Sequence, residues 1–388
     1  MFVFGIFISR KKIFASTEIV ERIVPVGHHY FGGMEMSKKS GKKFKIRWSL
    51  IFNVIILGLT AFLILYFVFS EGGFVDLINS GLKINVVWIF IAIFVHLTNI
   101  ALDMTVIYLF MKENCPEMTL YKAFICSMTG QFFCAVTPSA TGGQPMQILS
   151  MSRMGIRPAK TTAALIQKFL VWQFTLATVC IIAVVARFGF FAQFLDPPMW
   201  VASIIGFLAQ IALIVVLLLA SFCKPLTTRV VNAVIRFFGR IHIIKNPEEK
   251  ITSIDETLTS FHDSNKNLNK NKPLLIKVYA ITAVQMVSFF LVPYCIARSF
   301  NIDCNVFDML CAQAYVNMVS CLVPLPGGSG AAEYCFGIFF GSYFTPITIK
   351  SAILLWRTIT YYGTIIITAP FAMLKSKKTE ESLEEELS

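Results

Sequence analysis

Long apolar runs separated by short polar or basic stretches follow one another along this 388-residue chain. Each run has about 22–26 residues, and at a rise of about 1.5 Å per residue this is enough to cross a hydrocarbon core of about 30 Å. The pattern predicts an all-α polytopic membrane protein with about six full spans. The predicted spans are Ser49–Ser70, Val86–Met111, Thr161–Val185, Trp200–Phe222, Leu274–Arg298 and Ile349–Leu374.

Two further apolar stretches, Tyr121–Met151 and Phe307–Phe344, are interrupted near the middle by Pro and Gly. Neither half of either stretch is a convincing span by itself. Non-helical backbone at membrane depth is tolerated only where protein or a water-filled cavity satisfies its polar groups. Both stretches are therefore predicted to be broken, re-entrant helical segments.

The two interruptions share a pattern. They read Thr-Pro-Ser-Ala-Thr-Gly-Gly-Gln-Pro over 137–145 and Val-Pro-Leu-Pro-Gly-Gly-Ser-Gly-Ala-Ala-Glu over 323–333. In each, an apolar helix is predicted to stop at Pro, pass a Gly-Gly turn, resume, and lead into a span with one cation. Lys168 follows Pro138 by 30 residues, and Arg357 follows Pro326 by 31. An ordinary helix kinked by Pro-Gly is the alternative for either stretch alone, but the matched spacing favours a repeat.

Charge gives the orientation of the repeat. Lys and Arg number 34 against 22 Asp and Glu, a net charge of +12, and the basic residues cluster between apolar runs. The positive-inside rule then predicts that both termini and the linker 223–273 are cytoplasmic. The first interrupted stretch would enter from inside and the second from outside. Such an inverted repeat is typical of transporters whose substrate site lies between the halves.

The same reasoning divides the chain into five segments. Residues 1–33 are predicted to precede the natural start, since Met34 and Met36 lie before a basic stretch. In the linker, alternating apolar and Arg positions around Val230 and Arg236 predict an amphipathic helix, either on anionic lipid or packed in protein. Asn265–Lys272 is polar and is predicted to be a flexible joint. The segments are an N-terminal extension 1–47, a membrane half 48–222, the linker 223–273, a second half 274–374 and a charged tail 375–388.

Ionisable groups inside the apolar runs are costly in lipid and should face a cavity or a partner. Lys168 and Arg357 are predicted to bind a lipid phosphate, with Glu333 balancing them or binding a cationic headgroup. Asp103 and Glu333 are candidates for proton coupling. The structural alternative is that Glu333 pairs with Arg357 and that Lys168 extends toward the membrane surface. His96 is expected to be a helix-contact residue. The predicted lipid site also includes turn residues: Pro138, Gly142, Gly143, Pro145, Pro326, Gly327, Gly328 and Gly330.

The sequence offers no familiar catalytic or metal-binding pattern. The ten cysteines are scattered singly, and the five histidines have no ligand spacing. No P-loop lysine follows a Gly run, and Gly327-Gly-Ser-Gly-Ala331 lacks the second glycine of a nucleophile elbow. No metal, no cofactor and no catalytic residue are therefore predicted, and no nucleic-acid module accompanies the basic charge.

The two motifs resemble the paired signatures of the lysylphosphatidylglycerol synthase transmembrane, flippase-like family, the membrane half of the multiple peptide resistance factor. The resemblance covers residues 45–375. It implies a bacterial or archaeal plasma-membrane protein that moves or binds lipids. In full-length members a cytoplasmic domain transfers lysine from lysyl-tRNA to phosphatidylglycerol, and the membrane half flips the product. With 14 residues after Leu374, no synthase domain is expected here, and Ala331-Ala332 stands where many relatives have a basic residue.

The expected function is therefore a lipid translocase of the flippase or scramblase type, for phospholipids such as aminoacylated phosphatidylglycerol. Its activity would affect surface charge and resistance to cationic peptides, and without an ATP site it would be passive or ion-coupled. One alternative is the membrane component of a phosphatidylglycerol lysyltransferase with catalysis on a separate enzyme. A second is a secondary transporter of a small solute. The expected partners are membrane phospholipids, anionic or aminoacylated.

Overall fold

The computed structural model describes residues 84–192, 197–240, 247–320 and 325–372. The predicted span Ser49–Ser70, the extension 1–47 and the tail 375–388 lie outside the described residues. Within these ranges the chain is helical and contains no β-strand. The α-helices in chain order are α1 Val86–Asn114, α2 Leu120–Val136, α3 Gly143–Arg153, α4 Pro158–Ala192, α5 Pro197–Phe222, α6 Lys224–Arg240, α7 Pro247–Lys270, α8 Lys272–Ser299, α9 Val306–Ser320, α10 Ala331–Phe340, α11 Pro346–Arg357 and α12 Gly363–Ala372.

Five helical stretches in the described part of the chain are long and apolar enough to cross a membrane. They are α1, α4, α5, α8 and the continuous rod formed by α11 and α12, and they match the five predicted spans that the structure describes. The rod is not a regular α-helix, because a π-helical turn, Thr358–Tyr362, joins its two parts. The all-α polytopic fold predicted from the sequence is confirmed.

The two interrupted stretches are broken where the sequence predicts. Helix α2 ends at a 3₁₀ turn, Pro138–Ala140, and α3 packs back against α2. Helix α9 is followed by a second 3₁₀ turn, Pro326–Gly328, and α10 packs back against α9. We refer to these as the first turn and the second turn. Helices α2 and α9 have 17 and 15 residues, about 26 and 22 Å at the α-helical rise, so each is shorter than a hydrocarbon core of about 30 Å.

The repeat extends beyond the turns. Helices that begin at residues 86, 120, 143 and 158 recur as helices that begin at 272, 306, 331 and 346, a displacement of 186–188 residues throughout. The spans that open the two halves, α1 and α8, pack along each other. Each half also packs its re-entrant helix on the closing span of the other half: α2 contacts α12, and α9 contacts α4.

The linker forms the helix predicted around Val230 and Arg236, which is α6, and it is also helical where a joint was predicted. The expectation of a flexible joint at Asn265–Lys272 is wrong, because α7 continues to Lys270 and the Asn271 side chain caps α8. Asn265 is 1% exposed. Its amide donates to the backbone oxygen of Ser221 at 2.7 Å and accepts a hydrogen bond from Gln167 on α4. These polar side chains bind one another and the helix ends instead of water.

Candidate functional site

The two turns have the same backbone conformation but different residues. Gly327 and Gly328 have φ of 61° and 62°, and Ser139 and Ala140 have φ of 51° and 54°. The displacement of 188 residues makes these two pairs equivalent. The prediction that both halves use a Gly-Gly turn is therefore wrong for the first half. Gly142, with φ of −80°, instead precedes α3 in a right-handed conformation.

The glycines of the first half serve close packing between helices. A Cβ on Gly143, the first residue of α3, would lie 2.2 Å from Cys134 Sγ on α2. A Cβ on Gly130 would lie 2.2 Å from Gln147 Nε2, which donates to the backbone oxygen of Cys126 at 3.1 Å. The hairpin of α2 and α3 is therefore held by glycine contacts and one buried amide.

The two turns contact each other. Tyr361, in the π-helical turn, donates its hydroxyl to the backbone oxygen of Ala135 at the end of α2 at 3.2 Å. Its ring also lies against the second turn, where a Cβ on Gly327 would be 2.3 Å from the ring. The tips of the two opposed re-entrant segments thus meet, and one tyrosine bridges them.

A buried arginine supports the second turn. Arg357, at the end of α11, is 5% exposed and lies 2.8 Å from the Glu333 carboxylate through Nε. Its Nη1 donates to the backbone oxygen of Gly327 at 2.9 Å. Glu333 also accepts a hydrogen bond of 2.6 Å from the Gly330 backbone N–H. The guanidinium packs on the rings of Trp356 and Tyr361, with its carbon 4.9 and 5.5 Å from their centroids.

Arg357 has a side-chain donor that is not used in these contacts. Its Nη2 is buried and has no hydrogen-bond partner among the described residues. The contact of Nε with Glu333 is an ion pair whose geometry falls short of a hydrogen bond. A buried donor without an acceptor is costly, and such groups call for a specific explanation. The Glu333 side chain, 33% exposed, is the accessible member of the pair.

A second ion pair lies in the first half. Lys168 Nζ on α4 is 2.6 Å from Asp103 Oδ1 on α1. Ser127 donates to the other carboxylate oxygen at 2.7 Å, and Gln285 on α8 donates to Oδ1 at 3.4 Å. One buried carboxylate therefore joins α1, α2, α4 and α8.

The structure places the predicted site residues in two separate clusters. Pairing of Glu333 with Arg357, the structural alternative in the sequence analysis, is observed. Lys168 pairs with Asp103, a contact that was not predicted from the sequence. Pro138 and Pro326 open the two turns, and Pro145 is the third residue of α3. A role in lipid binding stays a prediction for all of them.

Several side chains of the clusters were not predicted, because the sequence does not show which neighbouring helix a polar residue in an apolar helix will face. Ser127, Gln285 and Tyr361 are the main examples. The expectation for His96 is confirmed, since its Nε2 lies 2.8 Å from the Thr364 hydroxyl and joins α1 to α12.

The fold and the paired turns define a class: a polytopic membrane protein built from two halves, each with a broken re-entrant segment. The chain belongs to the lysylphosphatidylglycerol synthase transmembrane region family, whose model matches residues 50–368. It is also similar to a UPF0104 membrane protein of Archaeoglobus fulgidus, with 23% identity over 279 residues that cover 69% of this chain and 81% of that protein. The resemblance drawn from the two motifs is confirmed.

Proposed function

We propose that this protein is a lipid translocase of the flippase or scramblase type in the plasma membrane of a prokaryote, with both termini cytoplasmic. Its substrates are phospholipids such as aminoacylated phosphatidylglycerol. Moving them to the outer leaflet makes the surface less anionic and raises resistance to cationic peptides. The family ties the chain to membrane lipids. The contact between the two turns is the observation that carries the proposal.

A translocase must offer a headgroup a polar path where the bilayer is apolar, because an unpaired charge in hydrocarbon is costly. Two re-entrant segments whose tips meet bring backbone polar groups and charged side chains to that depth. Inverted repeats with broken helices place substrate sites at such meeting points in transporters. The turns here, with the Arg357 pair beside them, fit that arrangement.

The second turn supplies the headgroup contacts in this proposal. A lipid phosphate accepts from Arg357 Nη2, the donor left without a partner in the described part of the chain. A charge-assisted hydrogen bond of this kind contributes about 1.5–3 kcal/mol. Glu333, which is partly exposed, binds a cationic group such as the amine of an aminoacylated lipid. Headgroup binding then weakens the contacts of Arg357 with the backbone of the second turn and with Tyr361, which bridges the two turns.

Proton coupling, if movement is ion-driven, falls to the carboxylates of the two pairs. Asp103 is held by three side chains and is buried, so its protonation would release Lys168 and open the contact between α1 and α4. Glu333 is the more accessible of the two. We assign the coupling step to Glu333 first and to Asp103 second.

The proposal is tested by reconstituting the full chain in liposomes that contain fluorescent phosphatidylglycerol and following its transfer with a membrane-impermeant quencher. Arg357→Gln with Glu333→Gln should slow transfer by roughly tenfold or more, since about 1.4 kcal/mol corresponds to a factor of ten. Arg298→Gln is the matched control, because it breaks a 2.6 Å pair with the exposed Asp303 at the end of α8. Transfer at the wild-type rate in the double variant would reject the site. Lysine transfer from charged tRNA by the purified protein would favour an enzymatic role instead.

A further inference from the structure

A groove opens between α4, α5, α7 and α8, and none of its lining residues belongs to either turn. Its volume is about 460 Å³, within the range of small-molecule sites. Most of its lining is apolar, with Leu170 and Phe174 on α4 and Ile276 and Ala280 on α8. Two amide side chains, Gln167 and Asn269, also line it, and both are hydrogen-bonded to Asn265.

The groove is long enough for part of one acyl chain. Its lining on α4 extends from Gln167 to Phe174, which is about 10 Å at the α-helical rise. Half of a hydrocarbon core of about 30 Å is about 15 Å, so a groove of this length fits within one leaflet.

Exposed basic residues lie near the groove lining on α7 and α8. Lys272 lies three and four positions before Leu275 and Ile276, hence on the same face of α8 as the groove wall. Lys266 precedes Asn269 by three positions on α7. Both lysines are exposed. A phosphate placed above the groove would therefore meet positive charge, while the acyl chain below it would meet mostly apolar walls.

We propose that this groove binds one acyl chain of an anionic glycerophospholipid from the leaflet on the side of α7, with its phosphate at Lys272 and Lys266. The inference rests on the proposed function in taking membrane lipid as the ligand. Gln167 in the groove lining is adjacent in sequence to Lys168 of the Asp103 pair. The groove thus holds lipid beside the first charged cluster and serves as a lateral entry site.

A photoactivatable phosphatidylglycerol with a diazirine on its acyl chain tests the site in liposomes that contain the full chain. Labelling mapped by peptide mass spectrometry should concentrate on 167–174 and 275–280. Ala280→Trp and Ile276→Trp each fill the groove and should cut this labelling roughly tenfold, which corresponds to about 1.4 kcal/mol of binding free energy. Ala101→Trp, at an exposed position on α1, is the matched control and should leave labelling unchanged.

The headgroup contact is tested by comparing phosphatidylglycerol and phosphatidylcholine probes. Lys266→Gln with Lys272→Gln should abolish the preference for phosphatidylglycerol, and Lys350→Gln, an exposed lysine at the start of α11, should preserve it. Uniform labelling of all lipid-facing helices, or unchanged labelling in both tryptophan variants, would overturn the proposal. Normal groove labelling in a protein that transfers no lipid would reject the proposed function and leave the groove standing.

Discussion

The two re-entrant segments adopt one backbone shape by different chemistry. The first turn places Ser139 and Ala140 in the left-handed region, which costs about 1–2 kcal/mol for each residue with a Cβ. The second turn places Gly327 and Gly328 there, where no such penalty applies. The first turn therefore stores strain that the second does not, and the surrounding contacts must offset it.

Those contacts differ in kind. In the first half, the Thr137 hydroxyl accepts from the Gly142 N–H at 2.9 Å and donates to the Phe133 oxygen. In the second half, a guanidinium and a carboxylate hold the backbone of the turn at Gly327 and Gly330. A hydroxyl carries no charge, whereas the ion pair of the second turn offers charges on which an anionic headgroup or a proton can act. The comparison suggests a fixed first turn and a responsive second turn.

The largest expected effect is on stability, and it differs between the two ion pairs. Asp103→Leu leaves the partly buried Lys168 without a carboxylate and removes the acceptor of Ser127 and Gln285, so it should lower the free energy of unfolding by about 3 kcal/mol. Glu333→Gln should cost less, because the Glu333 side chain is partly exposed. Thermal unfolding in detergent measures both.

Partial recovery of stability in Asp103→Leu with Lys168→Met would show that the unpaired charge causes the loss. Equal destabilisation by Asp103→Leu and Glu333→Gln would contradict the contrast between a structural first pair and a responsive second pair.

The next effect concerns the second turn. Gly327→Ala places a Cβ 2.3 Å from the Tyr361 ring at a positive φ, and strain at such a position costs about 1–3 kcal/mol. The variant should lose stability and separate the tips of the two segments. Gly337→Ala, inside α10, is the control: nothing lies within 4 Å of the added Cβ, so it should lose no stability and should gain at most about 1 kcal/mol from helix propensity. Thermal unfolding of both variants in detergent is the measurement. Unchanged stability in Gly327→Ala would contradict the assignment of Tyr361 as the bridge between the two turns.

Much of this fold could be predicted from the sequence, for a physical reason. Hydrocarbon imposes a minimum length on a span, so runs such as Leu274–Arg298 stand out, and Pro and Gly at the centre of Phe307–Phe344 mark a break. The spacing of the breaks predicted the repeat. The segment Asn265–Lys272 was wrongly predicted to be a flexible joint. Its asparagine side chains could be solvated by water, but Asn265 and Asn271 instead form hydrogen bonds with backbone groups at helix ends.

The site was less predictable than the fold. Which side chains face each other depends on the rotation and tilt of packed helices, so the contact of Lys168 with Asp103 is not encoded in spacing. The conspicuous Gly142-Gly143 pair was assigned to the first turn, although Ser139 and Ala140 occupy it. Left-handed backbone at residues other than glycine gives no signal in composition, and only the repeat itself, aligned by helix starts, reveals it.

The smallest effect tests that strain directly. Ser139→Gly removes the left-handed penalty of about 1–2 kcal/mol but makes the unfolded chain more flexible, which costs roughly 0.5–1 kcal/mol, so the net gain in stability should be about 0–1.5 kcal/mol. Ala135→Gly, in the last turn of α2, lacks the compensating relief and should destabilise by up to about 1 kcal/mol. A higher melting temperature than the wild type for Ser139→Gly, with a lower one for Ala135→Gly, would confirm that the first turn is strained. If both variants lose stability equally, the two turns differ in residues but not in stored energy, and the contrast between a fixed and a responsive turn must rest on the charged pair alone.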